Sequence, residues 1–321
     1  MPHEINSFAY TGDAPWHSLG NRLPAKQPLE VWAAAAGMNW EIRETPVRFQ
    51  PAGSPESSVL AFEDQKVLYR SDNNKALSVV SRRYRTVQPE QILAFYKGLT
   101  EASGFELETA GVLKEGRKLF ALAKTGKQTV LKGGDRVDGY ILLATSCDGT
   151  LATTATHTTV RVVCANTLAA AIDGAKGAVK VPHNTIFDPD LVKSQLGIAV
   201  SQWDAFMYRM KELTHRKVKD SEIETFLRKV LSLPEGAVSP TERVTHARSL
   251  KKLHALYLGE GRGADLASAK GTAFGLLQAC TQWVDHERRA RNQDYRRDSA
   301  WFGQGASLKE RALSEALELL A

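Results

Sequence analysis

The segment Arg-Arg-Tyr-Arg at residues 82–85 has the residue types and spacing that most clearly indicate a chemistry. No acidic residue occurs from 73 to 89, so these positive charges are not balanced locally. We predict that the segment continues a strand, in which alternate side chains share a face. Guanidinium groups spaced along a strand beside an aromatic ring are suited to binding a phosphate backbone and stacking a base. The residues predicted to bind nucleic acid are Arg70, Lys75, Arg82, Arg83, Tyr84, Arg85 and Arg161.

A second basic group lies in the predicted helical half of the chain, where the alternative is an ordinary solvated helix face. Its members are Arg209, Lys211, His215, Arg216, Lys217 and Lys219. Two further groups follow, at 243–252 and 288–297. Acidic residues interleave with the basic ones in the last group, which favours a solvated face there.

Cys164 is the one position that we consider for nucleophilic catalysis. It lies in the segment RVVCANTL at a predicted strand-to-helix corner, where a helix N-terminus would lower a thiol pKa. His157 lies seven residues earlier on the same predicted strand and points to the opposite face, which disfavours a Cys–His pair. A buried structural cysteine is the interpretation that we prefer.

The sequence predicts no metal, no cofactor and no catalytic activity. None of the 8 histidines falls in an HExxH pattern, and the 3 cysteines include no CxxC pair. His246 and His254 are two helical turns apart, too far to share one ion. The glycines at 133–134 and 259–263 lack the spacing of phosphate-binding loops.

The first half of the chain is predicted to be rich in β-hairpins, with a packed helix. Alternating apolar and polar residues, separated by turn residues, predict strands at 39–49, 66–71, 76–87, 105–113, 118–124, 138–147 and 151–164. Helices are predicted at Leu29–Gly37 and Glu90–Thr100. The threonine-rich stretch Thr145–Thr159 is predicted to form an exposed strand face rather than a polar groove, since threonine favours strands.

Helical periodicity dominates from residue 166 onward. A short helix is predicted at 166–172, capped by Asn166 or Thr167. The later helices are predicted at 191–213, 221–231, 241–259, 273–291 and 308–320. The predicted fold class is therefore α+β, with a β-rich N-terminal half and a mostly helical C-terminal half. We place the boundary near residue 185, which gives 1–185 and 186–321 as two domains or as parts of one continuous domain.

The composition indicates a globular protein of a reducing compartment. Hydrophobic residues make up 43% of the 321 residues and charged residues 24%. The cysteines are few and dispersed, no apolar run reaches the length of a membrane span, and the first residues do not resemble a secretory signal. We therefore expect a cytoplasmic protein that does not enter membranes. The net charge of +6 permits nucleic-acid binding without requiring it.

Several segments together resemble the phage/plasmid-like proteins, a domain-of-unknown-function family of mobile elements. The segments are PWHSLG at 15–20, AAAAGMNWEIRETPV at 33–47, VVSRRYRTVQP at 79–89, THTTVRVVCANTLAAA at 156–171, GTAFGLLQACTQWVDHERRAR at 271–291 and SAWFGQGASLKERAL at 299–313. The last two are the most specific, and the segments together span nearly the whole chain. The resemblance implies a protein of a phage, plasmid or integrated element in the cytoplasm of a bacterial host. It implies no particular activity.

The predicted topology is similar to that of single-strand annealing proteins of the Red-beta and eukaryotic recombination-mediator kind. The likeness lies in a hairpin-rich sheet with a packed helix and basic residues, followed by a helical half. It implies homo-oligomeric rings or helices that hold single-stranded DNA in a basic groove. No motif of those proteins is matched residue by residue.

We expect a non-enzymatic protein that binds or anneals single-stranded nucleic acid in recombination, repair or replication. Its partners would be single-stranded DNA and further copies of the same chain. The alternative is a host-interaction or anti-defence protein whose helical half binds a protein partner. The aromatic anchors of that alternative, which are equally candidates for the core, are Trp203, Phe206, Trp283, Trp301 and Phe302.

Overall fold

The computed structural model describes residues 8–12, 20–53, 55, 58–103, 105–161, 166–169, 178–200, 203–233 and 240–321. The chain forms two compact units, each assembled from three segments. The first unit comprises 1–126, 141–156 and 178–198, and the second comprises 127–140, 157–177 and 199–321. The predicted α+β class is confirmed, because strands dominate the first half of the chain and helices the second. That 1–185 and 186–321 are separate domains stays a prediction.

The secondary-structure elements follow one another with short connections in the described residues. The strands are β1 (Phe8–Tyr10), β2 (Asn21–Arg22), β3 (Ile42–Phe49), β4 (Leu60–Arg70), β5 (Ala76–Ser81), β6 (Glu106–Leu113), β7 (Lys118–Leu131), β8 (Asp135–Ser146), β9 (Thr153–Arg161), β10 (Asn166–Ala169) and β11 (Ala178–Val181). The helices are α1 (Leu29–Ala35), α2 (Pro89–Ser103), α3 (Pro189–Val200), α4 (Trp203–His215), α5 (Asp220–Val230), α6 (Pro240–Ala255), α7 (Ala273–Gln282), α8 (Gln293–Phe302) and α9 (Gln304–Glu318). Single π-helical turns follow α6 and α7.

The first unit contains two sheets. Strands β3, β4 and β5 form a small antiparallel sheet in that order. The larger sheet has the order β9-β8-β7-β6-β1-β2, and β11 pairs with residues 153–156 of β9. Helix α2, predicted at Glu90–Thr100, supplies Ile92, Phe95 and Tyr96 to the core, each at most 1% exposed.

The second unit is mainly helical and is built around α7. Every residue from Ala273 to Gln282 is buried, including the polar residues Gln278, Thr281 and Gln282, whose side chains form hydrogen bonds. The helix begins at a capping residue, because the Thr272 hydroxyl accepts a hydrogen bond from the Gly275 backbone N–H at 3.1 Å. Strand β10 pairs with residues 158–161 of β9 in this unit.

The predicted helix at 166–172 is wrong in its described part, since residues 166–169 form β10. The local run of alanines favours a helix, but a distant residue decides the backbone conformation. The Thr167 backbone N–H donates a hydrogen bond of 2.7 Å to the Asp285 carboxylate, which lies 118 residues later. Tertiary hydrogen bonding therefore overrides local propensity here.

The predicted exposed threonine face is also wrong. Thr153, Thr154, Thr158 and Thr159 are all buried, with at most 7% of each residue exposed. Their hydroxyls are satisfied internally, since those of Thr158 and Thr159 both donate to the Leu168 carbonyl oxygen at 3.1 and 3.2 Å. Hydroxyl-rich strands can thus enter a core when backbone acceptors lie within reach.

In the helical half, the described residues of the predicted helix at 191–213 belong to α3 and α4, and residues 201–202 between them lie outside the described residues. Helix α8 was not predicted. It begins where the Asn292 side chain accepts a hydrogen bond from the Tyr295 backbone N–H at 3.0 Å, a capping pattern that the sequence contains.

Candidate nucleic-acid interface

The Arg-Arg-Tyr-Arg segment forms a turn rather than the predicted strand. Strand β5 ends at Ser81, and the Tyr84 backbone N–H donates to the Ser81 carbonyl oxygen at 3.0 Å. The next residue, Arg85, contacts a segment distant in sequence, because its backbone N–H donates a hydrogen bond to the His183 carbonyl oxygen. The alternation of faces assumed for Arg82–Arg85 therefore does not apply.

Tyr84 fixes this turn to the first unit. Its ring stacks on the His183 imidazole with centroids 4.4 Å apart, and its hydroxyl donates to the Ser146 carbonyl oxygen at 2.7 Å. The two ring nitrogens of His183 lie 3.0 Å from the Arg85 carbonyl oxygen and 2.9 Å from that of Leu151. Burial raises the pKa of Tyr84 well above its usual range, so the phenol remains a neutral donor. The turn thus has a defined conformation despite its exposed arginines.

The three arginines of the turn are exposed around this anchor. Arg82 lies 3.7 Å from Glu63, but both side chains are about three-quarters exposed, so water screens the pair. Within the described residues, Arg83 and Arg85 have no acidic partner at ion-pair distance. The guanidinium groups of Arg83 and Arg85 are therefore available to an anionic ligand, and that of Arg82 is held only by a screened pair.

Two other predicted site residues are instead engaged within the protein. Arg70 forms a bidentate pair with Asp72, at 3.0 and 2.7 Å, and its guanidinium carbon lies 4.2 Å from the Trp40 ring centroid. The hydrogen bonds from Arg70 lower the pKa of Asp72. Lys75 forms a 2.6 Å ion pair with Glu115. The Arg-x-Asp spacing of the first pair was visible in the sequence, whereas Glu115 lies 40 residues from Lys75.

The remaining predicted residue, Arg161, ends strand β9, and its side chain lies outside the described residues. The same holds for all of Cys164, the cysteine considered as a nucleophile. His157 is buried. Burial raises the pKa of both Cys147 and Cys280 to about 12, so neither thiol is an activated nucleophile. In the part of the chain that the structure describes, no three His, Cys, Asp or Glu residues come together to hold a metal ion.

Helix α4 carries a second exposed basic group in the second unit. Tyr208 is 60% exposed and lies one helical turn from Lys211, which lies one turn from His215. Lys217 follows and donates to the Lys270 carbonyl oxygen at 3.0 Å. Aromatic rings beside cationic side chains can bind single-stranded nucleic acid, but the exposed acids Asp204 and Glu212 also lie one helical turn from Tyr208.

Arg216 does not contribute to this group because it is paired with Glu222. The Arg216 guanidinium contacts both carboxylate oxygens, at 2.6 and 3.2 Å, and the Lys219 backbone N–H donates to the same carboxylate at 2.8 Å. These hydrogen bonds, first of all those from Arg216, lower the pKa of Glu222 to about 2. The pair therefore holds the end of α4 against the start of α5.

We expect the contribution of Glu222 to stability to disappear in acid. Its pKa is lower in the folded chain than in the unfolded chain, so its stabilisation is complete above about pH 5 and declines as the pH falls toward 2. The melting temperature of Glu222→Gln should therefore lie below that of the wild type at neutral pH and converge with it near pH 2. A difference that stayed constant from pH 6 to pH 2 would contradict this, and Glu224→Gln, which removes an exposed pair with Arg228, is the control.

The aromatic residues proposed as protein-binding anchors divide into two groups. Trp203 and Phe206 are buried in the core of the second unit. Trp283, Trp301 and Phe302 are partly buried, and the last two are in edge-to-face contact with centroids 6.0 Å apart. At least the first two are core residues and cannot anchor a partner.

A cavity of about 740 Å³ lies in the first unit, beside the start of α1. Its floor is apolar and includes Leu29, Trp32 and Phe105, and its rim carries Lys26, Glu30, Lys97 and Glu106. Positive and negative charges are equal in number on this rim. It therefore lacks the uniform positive potential that a phosphate-rich ligand would select.

Comparisons with known proteins identify a family without identifying a function. No curated protein matches the chain, and no solved structure matches it. None of the described helices is both long and apolar enough to span a membrane. Residues 76–301, well over half of the chain, match the family model described as "Domain of unknown function (DUF932)", and this range includes the arginine turn and helix α4. The chain therefore belongs to the DUF932 family.

Proposed function

We propose that this protein binds single-stranded nucleic acid, without catalysis of its own, through Arg82, Arg83 and Arg85. The observation that supports the proposal is the exposure of these arginines on a turn that Tyr84 anchors. Because the backbone of the turn is held in place, binding costs little backbone conformational freedom, and the main ordering cost falls on the arginine side chains. Lys75 and Arg70, which are paired with Glu115 and Asp72, have structural roles in this proposal.

Tyr84 acts as the anchor of the turn in this proposal. One face of its ring is covered by His183 and its hydroxyl is already bonded, so the side chain is only partly accessible to a base. Tyr208 is 60% exposed, but it lies on α4 in the second unit and is not part of this site. In a phage or plasmid, such binding would serve recombination, repair or replication, including the annealing of complementary strands.

The test measures binding of a labelled single-stranded oligonucleotide by fluorescence anisotropy at 50 and 200 mM salt. Each neutralised phosphate contributes about −0.7 to the slope of log K against log salt, so three contacts should give an affinity loss of about 18-fold over this range. The variant R82A/R83A/R85A should bind more weakly at 50 mM salt. The slope of log K against log salt should also become shallower by the contribution of these three contacts.

A matched control keeps the change in net charge equal. Arg43, Lys124 and Arg228 are cations that are already paired with acids, and R43A/K124A/R228A removes the same three charges. It should retain nearly full affinity. Equal losses in both variants would show that only net charge matters, and unchanged binding by R82A/R83A/R85A would refute the proposed site.

A further inference from the structure

The end of the β3–β4 hairpin exposes an unusual amount of apolar side chain. Phe49, Leu60 and Phe62 are 48%, 50% and 42% exposed. The strand register pairs Phe49 with Leu60 and Val47 with Phe62, so these four side chains share one face. Contiguous exposed apolar side chains of this size are typical of an interaction surface.

The same hairpin also has an open backbone edge. Strand β5 pairs with β4 only along Gln65–Tyr69, and the Arg82 N–H bonds to the Asp64 carbonyl oxygen where this pairing ends. Within the described residues, no strand lies beside Leu60–Glu63 on that side. Unpaired backbone donors and acceptors of this kind are a template for a further strand.

The outer edge of the sheet, by contrast, is protected. Strand β3 has Pro46 near its middle, which has no N–H to donate, and charged residues at Arg43, Glu44 and Arg48. Proline and charge are the usual means by which an edge strand avoids pairing. The segment Leu60–Phe62 has neither, so the hairpin favours pairing on the β4 side.

We propose that two copies of this chain associate by antiparallel pairing of Leu60–Phe62 about a two-fold axis at Ala61. In that register Leu60 of one copy lies opposite Phe62 of the other. One row across the four strands then consists of Phe49 and Leu60 of one copy, followed by Phe62 and Val47 of the other. The two-fold axis generates a second, equivalent row, and the two rows form one continuous apolar face. Ala61 meets its own counterpart on the opposite face, where its small side chain allows close approach.

The charges favour this antiparallel arrangement over a parallel one. A parallel, in-register pair would place Glu63 and Asp64 beside the same acids of the second copy, which is destabilising. The two-fold pair separates these acids to opposite ends. The surface is thus complementary to itself in hydrogen bonding and apolar contact, and it avoids the repulsion of like charges.

The interface rests on one short edge and lies at the small end of specific interfaces. We therefore expect dissociation in the micromolar range. In sedimentation velocity, the wild type should shift toward dimer with increasing concentration, and Phe62→Lys should remain monomeric. A wild type that stays monomeric at several hundred micromolar would overturn the proposal.

A cysteine pair tests the register directly, independently of nucleic-acid binding. In a Cys164→Ser background, with Cys147 and Cys280 buried, Ala61→Cys should form a disulfide-linked dimer on mild oxidation. Opposed Cα atoms in an antiparallel pair lie about 4.5–5.5 Å apart, within disulfide reach. Glu63→Cys is the matched exposed control, because its two copies would lie at opposite ends of the pair. Failure of Ala61→Cys to cross-link, or equal cross-linking by both variants, would contradict the two-fold register.

Discussion

Replacement of Lys309 by alanine should destabilise the protein by about 3–5 kcal/mol, the cost of leaving a buried charge without its partner. The Lys309 ammonium lies 2.8 Å from each of three oxygens, those of the Asp285 carboxylate, the Thr167 carbonyl and the Thr167 hydroxyl. The side chains of the ion pair are only 5% and 7% exposed. In the variant, the Asp285 carboxylate would stay buried without a cation. Urea unfolding followed by circular dichroism at 222 nm measures the loss.

Two further variants separate this effect from a general loss of charge. Lys229→Ala removes a half-exposed lysine that pairs with Glu315 and Glu318, and it should change stability little because water screens such pairs. The double variant Lys309→Met/Asp285→Asn removes both charges but keeps an acceptor for the Thr167 N–H. It should recover much of the stability. If the double variant lost as much unfolding free energy as the single variants Lys309→Met and Asp285→Asn lose together, the two charges would not interact.

The same network explains where sequence-based prediction failed for β10. Residues 166–172 were predicted to be a helix because alanine and leucine favour one, but the strand at 166–169 is held by Asp285 and Lys309, which lie more than 100 residues away. No local pattern carries that information. Strand β6 and helix α2 lie close to their predicted positions, and α2 buries the apolar side that its helical periodicity indicates. Strand β4 was predicted only in part, since it begins at Leu60 and the predicted strand began at 66.

The candidate site shows the same division between local and distant information. The absence of acids around residues 82–85 correctly identified arginines that are exposed. Their conformation was not predictable, because Tyr84 is held by His183 and Ser146, 99 and 62 residues later. The ion pair of Lys75 with Glu115 was likewise invisible in the sequence. Composition thus located the positive charge, whereas tertiary contacts decide which charges remain available.

Tyr96→Phe should destabilise the first unit by about 2–3 kcal/mol, although it removes one oxygen atom. The Tyr96 hydroxyl is fully buried, accepts a hydrogen bond from the Leu143 N–H at 2.8 Å, and lies 2.7 and 3.1 Å from the Ala121 and Ile141 carbonyl oxygens. It therefore joins β7 and β8, which contribute these backbone groups. Without it, a buried N–H and its neighbouring acceptors lose their partner in a place that water cannot readily reach.

Hydrogen exchange makes this prediction specific to one amide. The Leu143 N–H should exchange faster in Tyr96→Phe than in the wild type, because its protection comes from the lost hydroxyl. Tyr84→Phe is the matched control, since that hydroxyl makes one hydrogen bond, to the Ser146 carbonyl oxygen, from a half-buried ring. We expect the control to cost about 1 kcal/mol and to leave Leu143 protected. Unchanged exchange at Leu143 in Tyr96→Phe would mean that the strands β7 and β8 satisfy this amide by themselves.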